Sequence, residues 1–405
     1  MKKLLIIFLV LALTLSFCAC TSKSAEALPQ SSGTAAAEAV SEAAAETAEE
    51  TEVTAEDEIA AARQLFTEGN YDEAFKALSA LDGNGDVSVT EMLGQCWYFG
   101  MGTETDTDKA LELLKKAAEG GSVTVKYLLA DAAANINGAR LTLDETAELY
   151  KEFVSAAEAM DPSDPGYGTA MTYLADCYAN GRGTERDSDK ALDAAAKASK
   201  SEGLTPFDMM TLGKVFEDCV PVPEDEASEE QAASAVAENP DAEAAAPVTV
   251  VKEAEELYSK AADALKALAE AGNARAQKLL GDLYFGGKGG FEQDYGKALE
   301  LYEQAADQDY ADAQAQLGYM YQNGIGVELS YEKAMEWNNR AAQQGNAQGQ
   351  AQIGYMYHMG LGVTQNLDEA GRWYARAAQQ GDSWAADMLI QTEVTNPQSV
   401  FEAHA

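Results

Sequence analysis

The chain reads as all-α, a stack of helical hairpins, and three features predict it: a residue register that recurs every 36 or 37 positions, small residues spaced for helix-on-helix packing, and Gly-x-Gly pairs where one helix must stop. The register is clearest as Leu317-Gly318-x-x-Tyr321-x-x-Gly324-x-Gly326-Val327, followed by Lys333-Ala334, Ala341-Ala342 and Gly345. It returns 36 residues later as Ile353-Gly354-x-x-Tyr357-x-x-Gly360-x-Gly362-Val363, Glu369-Ala370, Ala377-Ala378 and Gly381. It also stands 37 residues earlier as Leu280-Gly281-x-x-Tyr284-x-x-Gly287-x-Gly289, Lys297-Ala298 and Ala305-Ala306. A period of this size marks stacked units, each too small to bury its own apolar face.

Taken in order, the first unit is a short hairpin, Gln64-Leu65-Phe66-x-x-Gly69-Asn70-Tyr71-x-x-Ala74-Phe75. Leu93-Gly94-x-x-Trp97-x-x-Gly100-x-Gly102 then leads to Lys109-Ala110 and Ala117-Ala118. A worn copy runs from Leu129-Ala130 to Gly138 and continues into a helical stretch from Asp144 to Met160. Leu174-Ala175-x-x-Tyr178-x-x-Gly181-x-Gly183 leads to Lys190-Ala191, and Leu212-Gly213-x-x-Phe216 opens a further unit. With the three copies above, that makes about seven and a half units.

Counted from the first Gly, small or apolar residues fall at minus seven, minus one, plus two and plus three, which share one arc of the first helix, helix A. The Gly at zero lies in that arc, so the absent side chain lets the second helix, helix B, approach closely. Helix B supplies matching small residues seven apart, such as Ala334 and Ala341. The Gly-x-Gly pair falls where helix A ends, because Gly takes the left-handed conformation of a helix C-terminus without steric cost.

At these residues the chain resembles the Sel-one-like repeat family, relatives of the tetratricopeptide repeats, and the hairpin at Gly69-Asn70-Tyr71 looks more like a tetratricopeptide unit. The resemblance covers roughly residues 89 to 392. It implies a right-handed α-solenoid acting as an adaptor in protein complexes. Two units depart from the pattern. The one from Tyr127 to Met160 lacks most signature residues, and the one at Gly213 has Cys219 and Pro221 in its loop Gly slots.

The N-terminus reads as an address. Lys2-Lys3, an apolar run from Leu4 to Phe17 and the ending Phe17-Cys18-Ala19-Cys20 make a secretory signal over residues 1–19 whose close resembles a bacterial lipobox, with Cys20 the lipidated residue. The expected location is extracytoplasmic, lipid-anchored to a bacterial membrane. Residues 21 to 58 hold one basic residue, Lys23, against ten acidic ones and no aromatic residue, so residues 20–57 are expected to be an acidic disordered tether. Residues 58–392 form the solenoid and 393–405 a tail. From Pro221 to Val250 the chain carries four prolines, eight acidic residues and no Lys or Arg, an acidic loop insertion within one unit.

A formal net charge of -40 argues against nucleic acid and anionic headgroups as partners, and favours a protein or peptide partner with basic character. Cys96 and Cys177 share the slot two after the repeat Gly, held elsewhere by Val215, Leu283, Met320 and Met356, so both are expected as small core hydrophobes. The histidines are His358 and His404, too few for a triad or a zinc site. Asp82-Gly83-Asn84-Gly85-Asp86 resembles the start of a calcium loop, but Val87 and Leu93 stand where Gly and Glu are needed, and a tight polar turn is expected. No cofactor or metal is expected.

What remains is a stripe on helix A at minus three, plus one and plus four, which varies while the core slots repeat. It contains Tyr98, Phe285, Tyr319, Gln322, Tyr355 and His358. The freely changed plus-four slot is expected to face solvent. In tetratricopeptide relatives this stripe lines the concave groove, and exposed rings at regular spacing suit a protein or peptide ligand. Packing between units is the other use of the same positions. The resulting reading is a non-enzymatic, membrane-tethered adaptor; a hydrolase of cell-wall polymers or β-lactams and a non-catalytic envelope spacer are the alternatives.

Overall fold

Thirteen-residue helices set the rhythm of the molecule. The computed structural model describes residues 54–135, 142–164, 166–219 and 246–395, and among these there are seventeen helices. In the first half α1 (Ala55–Thr67) pairs with α2 (Tyr71–Ala80), α3 (Val87–Phe99) with α4 (Thr107–Glu119), α5 (Thr124–Asn135) with α6 (Leu143–Glu158), and α7 (Tyr167–Asn180) with α8 (Ser188–Ala198). The second half pairs α9 (Pro206–Cys219) with α10 (Ala246–Glu270), α11 (Ala274–Gly286) with α12 (Tyr295–Ala306), α13 (Ala311–Asn323) with α14 (Tyr331–Gln343), and α15 (Ala347–Met359) with α16 (Leu367–Gln379). A single helix, α17 (Ser383–Thr395), closes the series. The front hairpin is a complete pair, as expected, and with it the described residues hold eight pairs.

Three boundaries differ from the expectation. Helix α1 starts at Ala55 because Thr54 and Asp57 form a reciprocal capping box, which pulls three expected tether residues into the fold. Helix α10 starts at Ala246 and takes in the last five residues of the expected insertion, reaching 25 residues. Helix α17 runs to Thr395, past the expected start of the tail. The signal with Cys20, the rest of the tether, and the insertion up to 245 lie outside the described residues, as do Gly138, residues 396–405 and His404.

The repeat signature is explained by one hairpin. Gly324, at φ 67°, caps α13 by donating its N–H to Met320 O. Gly326, also at φ 67°, crosses the preceding unit so closely that a Cβ would come within 2.8 Å of Tyr295 Cβ. Ser330 then caps α14, its Oγ accepting the Lys333 N–H, while its own N–H donates to Tyr321 O at 2.9 Å. The same closure recurs at Asp106, Asp187, Asp294 and Asn366, which donate to Trp97, Tyr178, Tyr284 and Tyr357. The ring of that residue in turn takes the helix B lysine on its face: Lys109 on Trp97 at 4.1 Å, Lys190 on Tyr178 at 5.1 Å, Lys297 on Tyr284 at 4.9 Å and Lys333 on Tyr321 at 4.8 Å. The aromatic and the Lys-Ala pair recur together because they touch.

The Gly at zero does what its spacing predicts. A Cβ on Gly213 would lie 2.4 Å from the Tyr258 ring, on Gly281 2.7 Å from Tyr302 and on Gly354 2.8 Å from Tyr374. In the seventh hairpin Asn338 occupies the ring's slot, and a Cβ on Gly318 would meet its Oδ1 at 1.9 Å. Cys96 and Cys177 are buried, free thiols, as is Cys219 at the end of α9, and burial pushes the Cys96 thiol up to about 12.

Beyond sequence neighbours, the A helices meet one another: α5 with α7, α7 with α9, α13 with α15 and α15 with α17. The A layer therefore forms the inner side of the stack.

Candidate functional site

On the inner side the front of the solenoid is closed by its own side chains. Phe99, the last residue of α3, stacks on Phe207 at the start of α9, centroid to centroid 5.0 Å, and the Arg275 guanidinium lies 4.7 Å from one ring and 5.4 Å from the other. Asn273, the N-cap of α11, donates to the carbonyls of Phe99 and Gly100, residues 174 and 173 positions away, while its Oδ1 accepts the Ala276 N–H. Helix A of the second hairpin is thereby tied to helices A of the fifth and sixth. Inside this closure Tyr127 stacks on Tyr173 at 4.2 Å and donates to Asp176, which Arg182 holds at 2.9 Å.

This closure decides the fate of Tyr98. Its hydroxyl donates to Asp131 at 2.9 Å and its ring packs edge-on against Phe99, which leaves the side chain half-buried and engaged by its own chain. Burial pushes its hydroxyl well above the ordinary tyrosine range, with the Asp131 charge adding to the shift.

Expecting the plus-four slot in solvent is a correction with a simple geometric cause. Positions zero and plus four share one face of a helix, so the ring that rests on the repeat Gly ends beside plus four. Tyr258 rests on Gly213 and its hydroxyl donates to Glu217 at 2.9 Å. Phe285 is half-buried, edge-on to Tyr295 at 5.2 Å. Gln322 is only 7% exposed, and its Oε1 has no hydrogen-bond partner. His358 is half-buried, edge-on to Tyr374 at 6.2 Å, with Nδ1 sealed and unpartnered.

The plus-one slot is less uniform, from Gln95, 7% exposed, to Tyr319. Tyr319 there is 38% exposed and approaches Phe285 at 6.5 Å, joining α13 to α11. Tyr355 is half-buried and meets Trp384 of α17 at 5.9 Å; Trp384 is 45% exposed and lies edge-on to Tyr374 at 5.8 Å. Of the six stripe residues, the structure thus brings together Phe285 with Tyr319, sets Tyr355 and His358 around Tyr374, ties half-buried Tyr98 to Asp131 and buries Gln322. Trp384 was missed because α17 lacks the repeat Gly that would align it.

Also missed were the carboxylates that satisfy the helix B rings. Tyr302 donates to Asp282 at 2.8 Å, and Lys278 holds the same carboxylate at 2.8 Å; Lys288 holds Glu217 at 2.6 Å. In the last two complete hairpins no such carboxylate follows the Gly. Among the described residues, the buried polar atoms lacking a partner all fall there: Gln322 Oε1, Asn338 Oδ1, Gln352 Oε1, His358 Nδ1 and Tyr374 OH.

Residues 91–122, 168–199, 248–264, 274–310, 311–346 and 347–382 match the Sel1 repeat. Two curated proteins of Arabidopsis thaliana, the ERAD-associated E3 ubiquitin-protein ligase components HRD3A and HRD3B, are each 43% identical to this chain over 58 residues. That stretch is 14% of this chain and 8% and 9% of theirs, so the chain spans under a tenth of these relatives. Among solved structures, a Sel1 repeat protein from Oxalobacter formigenes is 25% identical, with 79% of this chain and 81% of that one covered and a TM-score of 0.32. A protective antigen of uropathogenic Escherichia coli with an SLR fold is 24% identical, with 80% and 68% covered and a TM-score of 0.33.

Proposed function

We propose, from the premise that this chain is a Sel1 repeat protein, that it is a membrane-tethered extracytoplasmic adaptor which takes a protein or peptide partner on its inner face between α11 and α17. Sel1 repeat solenoids are protein-binding scaffolds, and the observation that carries the reading here is where the rings stand. The front of the inner face is consumed by its own packing, whereas Tyr319 and Trp384 stay exposed on the back, each against a ring of a neighbouring helix. Rings held at one end and open at the other offer large contact area at little entropic cost.

The net charge of -40 supports a partner with basic flanks, steered by the field and released by salt. The tether and anchor rest on the sequence: Ala19-Cys20 closes an apolar run, and an acidic stretch follows. Among the described residues no helix is long and apolar enough to cross a membrane.

The test is a pull-down from envelope extract with Tyr319→Ala/Tyr355→Ala beside the parent, at low and high salt. The double variant is expected to lose partner capture with its circular dichroism unchanged, and the parent to capture less at high salt. Retention of every partner by the variant sinks the inner-face reading. For the anchor, Cys20→Ala is expected to leave the detergent phase in a phase partition; unchanged partitioning sinks the lipid assignment.

A further inference from the structure

Three of the four tryptophans carry a basic side chain of their own chain on the ring: Lys109 lies over Trp97 at 4.1 Å, Arg340 over Trp337 at 4.5 Å and Arg376 over Trp373 at 4.6 Å. In two of them the cation also meets a carboxylate, Lys109 with Asp106 at 2.9 Å and Arg340 with Glu336 at 2.7 Å. Trp384, the fourth, is 45% exposed, and among the described residues no basic side chain lies over it.

A shared spacing explains the difference. In α14 and α16 the cation stands three residues after the tryptophan, Arg340 after Trp337 and Arg376 after Trp373, and residues three apart are neighbours on a helix surface. In α17 the residue three after Trp384 is Asp387, which is exposed and, among the described residues, holds no ion pair. Asp382, whose carboxylate takes the Ala385 N–H at 2.8 Å, sets a second negative charge at the same end of the helix. No neighbouring helix A supplies a cation, because α13, α15 and α17 contain no Lys or Arg. The basic residues of α14 and α16 are engaged on their own helices or rings: Lys333 on Tyr321, Arg340 on Trp337, Arg372 with Glu369 and Arg376 on Trp373. The rings beside Trp384 leave it uncapped, since Tyr355 lies at 55° to it and Tyr374 at 84°, so neither stacks flat on the indole.

We propose that Trp384 and Asp387 form a subsite for a basic side chain of the partner, its cation lying on the indole and pairing with the carboxylate. The negative face of an aromatic ring attracts a cation, most strongly in tryptophan. The inference rests on the adaptor reading and deepens it: beyond general attraction by the net charge of -40, one arginine or lysine of the partner has a fixed seat at the end of the stack.

The experiment selects a random-peptide library on the detergent-solubilised full chain and on its Trp384→Leu, Asp387→Asn and Glu303→Gln variants, each checked by circular dichroism. Leu keeps apolar bulk without an aromatic face, and Asn keeps shape without charge. Glu303 is exposed on α12, outside the subsite, so Glu303→Gln changes the net charge equally and reports the general field. The parent is expected to enrich peptides with an arginine or lysine at one fixed position. A recovered peptide should bind Trp384→Leu about tenfold more weakly than the parent and Asp387→Asn about fivefold, with Glu303→Gln within about twofold. Citrulline in place of its arginine, or acetyl-lysine in place of its lysine, should cost the parent about the same tenfold and Trp384→Leu little, and the swap that matters tells guanidinium from ammonium. No basic enrichment, or equal binding by the parent and Trp384→Leu, overturns the proposal. So does a Glu303→Gln effect as large as that of Asp387→Asn, which would leave diffuse charge alone. If Trp384→Leu and Asp387→Asn keep every partner in the envelope pull-down while Tyr319→Ala/Tyr355→Ala loses them, the subsite fails and the adaptor face stands.

Discussion

The front and back of the solenoid are made of the same repeat and hold together differently. From Ala62 to Leu283 the buried apolar residues form one continuous cluster, closed across 174 positions by Asn273. Behind it the core breaks into two small clusters, one around Tyr302 and Leu317 and one around Tyr374 and Ala385. Within each of the last three hairpins an amide at the end of helix B closes onto its own helix A: Gln308 donates to Gln277, Gln344 to Gln314 and Gln380 to Gln350, each at 2.8 Å. The front thus behaves as a closed domain and the back as a one-dimensional stack, in which each hairpin leans on its neighbours alone. A closed front has no inner face to offer; an open back keeps one.

The largest test removes the ring that closes the front. Phe207→Ala is expected to cost about 3–5 kcal/mol, since Phe207 is 3% exposed and stacked on Phe99. Urea melts followed by circular dichroism should show the loss in the front transition. Three of the four tryptophans, Trp337, Trp373 and Trp384, lie in the back, so in a Trp97→Phe background tryptophan fluorescence should report little change. A common shift of both signals would mean that front and back are one cooperative unit.

Next, Gly318→Leu is expected to cost about 1–3 kcal/mol or more through overpacking on Asn338. Tyr319→Ala, on the exposed slot beside it, should cost under about 1 kcal/mol. Equal costs in urea melts would remove the distinction between core and inner slots on α13.

Asn273→Ala should cost about 1–2 kcal/mol, from a lost helix cap together with the contacts to Phe99 and Gly100. If it destabilises no more than Asn346→Ala, which caps α15 without such a span, the closure is incidental.

Asn338→Tyr is expected to stabilise the back by about 0.5–1.5 kcal/mol, because it restores the ring of the neighbouring units and supplies a hydroxyl for Gln322 Oε1. A destabilised variant would show that the seventh hairpin has repacked around the amide.

The smallest effect is in pH. Burial raises the carboxyls of Glu91 and Asp208 in the front, outweighing hydrogen bonds from Thr124 and Thr205. Each holds its proton more tightly folded than unfolded, so its contribution is full below the ordinary carboxylate pKa and is lost as pH rises through the folded value. Asp294 in the back is shifted the other way by the Lys297 N–H and works in the opposite sense, losing its contribution as pH falls. Asp208→Asn should therefore flatten the decline of front stability from acid to neutral pH. An unchanged slope would show that Asp208 does not titrate in that range.

The repeat was legible in the sequence because it is local. The Gly at zero, the Gly-x-Gly stop and the cap residues answer to contacts within one hairpin or with the next, and such contacts recur every 36 or 37 residues. Helix type, hairpin pairing and the core role of Cys96 and Cys177 followed from that spacing. Tertiary structure decided what the spacing does not encode. Whether Tyr98 lines a groove depends on α3 returning to α9 and α11, a contact set by the summed rotation of several units. The burial of Gln322 and His358 depends on how far a ring on helix B reaches past the repeat Gly. Each is a difference between units, and a register is by construction what the units share.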